Sequence, residues 1–104
     1  MKSIVTDNEK YCIICGKPAF SDHHLIFGTS GRAFSEKYGL TIPICDSCHI
    51  TGELVTCRIH DNPMAEHLSK MLGQALFERE MVAQGMTKDE ARQKMIKEAG
   101  RSWL

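Results

Sequence analysis

The sequence predicts an α+β fold in one small domain spanning residues 1–104: a loop-rich, cysteine-tied unit over residues 10–61, followed by a helical hairpin over residues 62–104. Three observations carry this expectation. Two C-x2-C pairs, Cys12/Cys15 and Cys45/Cys48, stand 29 residues apart and bracket two short apolar runs. All five cysteines, four of the five histidines and five of the eight glycines fall between residues 10 and 60. From Asn62 onward, apolar residues return at the spacing of helical turns.

The elements follow in order. Tyr11 to Gly16 is a turn that aims two sulfurs at one centre, with the glycine relieving strain behind it. Asp22 to Phe27 reads as a strand, Gly28 to Gly31 as a flexible loop, and Leu40 to Ile44 as a second strand that Pro43 places at an edge or an end. Cys45-Asp46-Ser47-Cys48-His49 then turns into a short helix limited by Gly52. The predicted order is knuckle, strand, loop, strand, knuckle, helix. Asn62-Pro63 opens a long helix as N-cap and first helical residue. Met64, Leu68, Met71, Leu72, Ala75 and Leu76 form its expected core face, and Gly85 ends it. Thr87-x-x-Glu90 is a capping box for a second helix with Ala91, Met95, Ile96 and Ala99 inward, stopped by Gly100. Trp103 and Leu104 are expected to fold back on the body as a hydrophobic tail.

A chain of 104 residues buries a modest fraction of its surface, so an added staple suits it. Four thiolates satisfy a tetrahedral zinc ion completely, and such closed sites are structural. Zinc bound this way contributes on the order of 10 kcal/mol to folding. A redox C-x2-C would need a thioredoxin-like surround, and an iron–sulfur site has no supporting spacing here. Cys57 is left over; it is expected as a small buried residue, although Cys57-x2-His60 forms a second pair. Cysteine pairs without disulfide logic point to the reducing cytoplasm. Met1 to Lys10 carry charge without the apolar run of a secretory leader, and no stretch is apolar enough to cross a membrane. The net charge is zero, and each half is balanced, with five basic and five acidic residues before Glu53 and eight of each from Glu53 onward. Overall charge therefore gives no support for a non-specific nucleic-acid binder.

The histidines carry the chemistry. His23 and His24 are adjacent on the first strand, so their side chains take opposite faces. His49 follows the last zinc cysteine directly. A zinc ion that pins both knuckles would draw His23, His24 and His49 around one cleft. His67, inside the long helix, reads as a surface or packing residue.

Cys12-x2-Cys15, then His23-His24-Leu25-Ile26, then Ile42-Pro43-Ile44-Cys45-x2-Cys48-His49, resembles an HNH endonuclease of the ββα-metal type. His23 to Gly28, Ser35 to Leu40 and the tail Gly100-Arg101-Ser102-Trp103-Leu104 are similar to the small HNH-like proteins of phage and prophage genomes. The resemblance implies a zinc-stabilised ββα-metal core and a metal-dependent DNA endonuclease. By position it makes His23 and His49 ligands of a catalytic divalent cation, Mg²⁺ or Mn²⁺ before others, and His24 the general base. Glu53 and His60 are the candidates to complete the cation shell. Arg32 and Lys37, between the two strands, would contact DNA phosphates. The sequence departs from the family in having no Asn between Asn8 and Asn62, so the orienting role of the middle Asn is lost or taken by another residue. The alternative is a non-catalytic zinc module that recognises nucleic acid or protein. The oligomeric state stays open, a homodimer through the helical hairpin included.

Overall fold

The computed structural model describes residues 2–104. At the first knuckle Tyr11 and Pro18 form an antiparallel bridge. Gly16 takes φ 81° and donates its N–H to Cys12 O at 2.9 Å, which reverses the chain and buries Cys12. Strands β1 (Ser21–His24) and β2 (Thr41–Ile44) pair antiparallel, with His23 opposite Ile42 and His24 opposite Thr41. β1 is shorter than the 22–27 span expected. Leu25 N–H still bonds Leu40 O at 2.9 Å, but Ile26 leaves the ladder. Ser35 Oγ accepts from Ile26 N–H at 3.0 Å and donates to Ile26 O at 2.6 Å, so a side chain satisfies both buried backbone groups.

That serine lies on an element the sequence reading missed. The segment between the strands, expected as loop, contains helix α1 (Gly31–Tyr38), which ends at Gly39 with φ 71°. Its buried face is only Gly31, Phe34 and Ser35, too short a pattern for periodicity to register. The stacking of Phe34 and Tyr38 on Phe77, at centroid distances of 4.9 and 4.8 Å, holds it to the body.

The short helix expected after the second knuckle is instead one wide turn, Ser47–Thr51, closed by Gly52 N–H to Ser47 O at 3.1 Å. A single 3₁₀ turn, Val55–Cys57, follows. Cys57 is exposed there, not buried as expected, because this turn packs no side chain inward. The chain then returns alongside the knuckle: Ile59 N–H bonds Cys48 O at 2.9 Å and His60 N–H bonds His49 O at 3.0 Å.

Helix α2 (Pro63–Ala83) starts at its predicted cap, Asn62 Oδ1 accepting from Ala65 N–H at 3.4 Å. Gly85, φ 109°, reverses the chain into helix α3 (Lys88–Ala99), whose capping box and Gly100 stop are as predicted. The inward face of α2 is the expected one only in part: Leu76 packs against the core, but most of the rest differs. Met64, Leu68 and Leu72 are exposed, and Ser69, Gly73, Gln74, Phe77 and Met81 are buried. A Cβ built at Gly73 would lie 2.8 Å from Ile26 Cγ1 and 3.0 Å from Leu25 Cβ, so glycine is what lets α2 approach the end of β1. Gln74 takes the tail: its Oε1 accepts from Trp103 N–H at 2.6 Å and its Nε2 donates to Ser102 Oγ at 2.8 Å. Trp103 packs against the core as expected, while Leu104 is half exposed, as is Ile96 of α3.

One core serves both parts of the sequence. Leu25, Ile26, Phe34, Leu40 and Ile42 pack with Phe77, Met81, Ala91, Met95 and Ala99. A smaller cluster of Cys12, Ala19 and Ile44, flanked by Cys45, Cys48 and Ile59, lies at the knuckles. The protein is thus a small α+β structure, a two-stranded antiparallel sheet with helices. No helix among the described residues is long and apolar enough to cross a membrane.

Gly73→Ala is expected to lower stability by about 1–3 kcal/mol through overpacking against Ile26 and Leu25. Urea unfolding of the variant beside wild type measures this; an unchanged midpoint would contradict the close approach.

Candidate metal centres

The two knuckles bring Cys12, Cys15, Cys45 and Cys48 together, with all four sulfurs within 4.8 Å of one another. Cys15 and Cys45 Sγ are 3.5 Å apart. Each C-x2-C is set by its own turn, and Ile13 N–H bonding Pro43 O at 3.0 Å ties the first to β2. The thiols differ in their hold on protons. Burial pushes Cys12 up, but backbone N–H groups of Cys45, Cys15 and Ile14 outweigh it and pull the thiol down to about 6. Burial and the three neighbouring cysteines push Cys48 the other way. Cys12 is thus readier to give up its proton than Cys48. The cluster could hold a metal such as zinc.

A second cluster joins His23, His49 and His60, whose ligand atoms also lie within 4.8 Å of one another. His23 is 1% exposed, at the inward position of β1. Its Nε2 is 2.8 Å from Ser69 Oγ, which lies 2.7 Å from Leu25 O. A hydroxyl has one proton, and the carbonyl can only accept, so Ser69 donates to Leu25 and His23 Nε2–H donates to Ser69. His23 Nδ1 is left as a lone pair, 3.2 Å from His49 Nε2. His60 is fixed from the far side in the same way. Its Nδ1 is 3.3 Å from Glu66 Oε2, which leaves Nε2 free. Arg58 Nε donates to His60 O at 3.0 Å, and Asp61 beyond it takes the left-handed φ of 63°. Burial lowers His23 to about 3, with the neighbouring His49, His60 and His24 adding to the effect. Burial first and His60 second also lower His49. Both rings therefore stay neutral near pH 7, the state in which imidazole binds a cation.

His24 takes the other face of β1, as the alternation requires, and its Nε2 lies 3.1 Å from Glu36 Oε1 on α1. Arg32, one turn before Glu36, has Nε 3.8 Å from the same oxygen. His23, His24, His49, His60 and Arg32 share the walls of one open cavity of about 270 Å³. A larger groove of about 500 Å³ lies against the outer faces of α2 and α3 and has neither histidine nor cysteine in its walls.

Of the residues singled out from sequence, the structure brings His60 to His23 and His49, and Arg32 to His24. Glu53 is exposed and lies outside the histidine cluster. Lys37 Nζ turns to Glu98 Oε1 at 2.8 Å, away from the cavity. Ser69, Glu66 and Glu36, which fix the rings, were not foreseen. Glu66 and Ser69 follow Asn62 in the first turns of α2, where helix-cap reasoning accounts for the acid and nothing marks the serine.

Comparison with protein-family models, with curated proteins and with solved structures finds no match.

The histidine shifts set a pH dependence. The unfolded His23 ring titrates near 6.5 and the folded ring near 3, so between these values the unfolded chain binds more protons. Stability is then fully present above about pH 6.5 and is lost as pH falls toward 3. Urea unfolding from pH 7 to pH 4 is expected to show a slope steeper in wild type than in His23→Gln by at most about 1.4 kcal/mol per pH unit. Parallel slopes would refute the assignment.

Proposed function

We propose that the protein is a metal-dependent endonuclease of the HNH, ββα-metal kind that hydrolyses phosphodiester bonds in DNA. The observation that supports this best is the convergence of His23, His49 and His60 in one cluster, with His24 beside it in the same cavity. Three imidazoles leave coordination positions open, as a catalytic site needs, whereas four thiolates close the cysteine site, as a structural zinc needs. The two clusters therefore fit different tasks. The histidine set holds no carboxylate, and nitrogen donors favour Mn²⁺, Zn²⁺ or Ni²⁺ over Mg²⁺, which prefers oxygen.

A cation held by the three histidines would supply positive charge to the phosphate and to the leaving oxygen. The chain's own residues do the rest. His24 accepts a proton from water as the water oxygen bonds to phosphorus, and the bond from phosphorus to the leaving oxygen breaks. Solvent returns a proton to that oxygen. Neutral imidazole is suited to this transfer near pH 7. Arg32, 72% exposed along its side chain at the cavity wall, would meet a phosphate oxygen. Lys37, occupied by Glu98, has no part in this reading.

Two outcomes check it. Supercoiled plasmid with Mn²⁺, Zn²⁺ or Ni²⁺ is expected to be nicked or cut by wild type, and His24→Ala is expected to be about 100-fold slower or worse with its fold intact. Equal rates would sink the mechanism. Metal analysis is expected to find one retained zinc per chain and a second, weaker cation. Cys45→Ser should lose the zinc together with the cooperative thermal transition, and His60→Ala should lose only the second cation. One zinc and no histidine-dependent cation would favour a non-catalytic binding module instead.

A further inference from the structure

We infer that Glu36 is the positioning residue of His24: its carboxylate accepts a hydrogen bond from Nε2–H and leaves Nδ1 as the nitrogen that accepts a proton from water. The inference rests on the nuclease reading and assigns a role that the sequence leaves vacant, since no Asn lies between Asn8 and Asn62.

The geometry carries it. Glu36 Oε1 is the only partner of the His24 ring among the described residues, at 3.1 Å from Nε2. An ionised carboxylate has no proton to give, so Nε2 must carry the hydrogen, and the lone pair falls to Nδ1. Arg32 Nε stands 3.8 Å from that same oxygen and adds positive charge beside it. Its helix is fixed to the strand end by the paired bonds of Ser35 with Ile26, two residues beyond His24. Gly31 allows that approach, because a Cβ there would lie 3.0 Å from Ile26 Cγ2. α1 is therefore seated on the segment that carries the base, and Glu36 stands next to the residue that seats it.

The same pair has little to do for stability. The Glu36 side chain is 58% exposed, and exposed pairs contribute little to folding. Its use lies in the choice of tautomer and ring orientation. His24 sits between two cavities, one walled by the three-histidine cluster and one walled by Glu36, Arg32 and Thr41, so a ring without a partner has two directions to turn.

The test reads the tautomer and the rate separately. Nitrogen-15 NMR of the full zinc-loaded chain at about pH 8, where a free imidazole is neutral, is expected to show His24 as the Nε2–H tautomer. Glu36→Gln, whose amide oxygen still accepts, should keep that tautomer and most of the cleavage rate. Glu36→Ala should give a mixture of tautomers and cleave plasmid about tenfold slower or worse, with unchanged zinc content and thermal midpoint. A wild-type Nδ1–H tautomer, or the same tautomer and rate in wild type and Glu36→Ala, overturns the inference. A wild-type chain that cuts no plasmid with any cation, yet loses its tautomer in Glu36→Ala, overturns the nuclease reading and upholds the pairing.

Discussion

A two-stranded sheet of four residues per strand has too little surface to hold itself together in water. What it depends on here is the meeting of the two cysteine knuckles at its end. Cys45 follows β2 directly, and Ile44, the last residue of that strand, is buried with Cys12 and Ala19. The knuckle sets where the chain goes next. His49 leaves it on the wide turn, and Ile59 and His60 return along Cys48 and His49 by backbone hydrogen bonds. The positions of two of the three clustered histidines therefore follow from the cysteine site, while the third, His23, is fixed from β1.

The parts of the structure that were legible in the sequence are those whose chemistry is local. Two C-x2-C turns, the Asn62-Pro63 start, the Thr87/Glu90 box and the glycines at 85 and 100 each state their geometry within a few residues, and each is found where it was read. The alternation of His23 and His24 was legible for the same reason. α1 was not, because its hold on the body comes from Phe34 and Tyr38 stacking on Phe77, distant in the chain. The partners of the histidines were equally hidden. Ser69 is an unremarkable helical serine until it is found between His23 and Leu25 O, 46 residues from the histidine it orients.

α2 shows why its face was misread. Apolar periodicity assumes that the buried side of a helix is its greasiest side. Here the buried side has other duties along one line: Ser69 orients His23, Gly73 admits the end of β1, Gln74 receives the tail, and Phe77 and Met81 complete the core. Small and polar residues are required where the helix runs past the strand end, so the apolar ones at 64, 68 and 72 stand outside. The pattern was real and the orientation inferred from it was not.

The two clusters share one segment of chain and differ in what surrounds them. At the cysteines, backbone N–H groups face sulfur, and four donors are the number that would complete a tetrahedron around a metal by themselves. At the histidines, each outer ring nitrogen that has a partner meets one that accepts: Ser69 for His23 and Glu66 for His60. Acceptors on the outside turn lone pairs to the inside, which would set the direction of ligation for a cation held there. Burial then keeps His23 and His49 from taking protons instead. In the proposed reading the same device is repeated once more on the other face of β1, where Glu36 stands behind His24 as Glu66 stands behind His60. What distinguishes base from ligand is then which face of a four-residue strand the ring occupies, and that is set by the alternation of adjacent side chains.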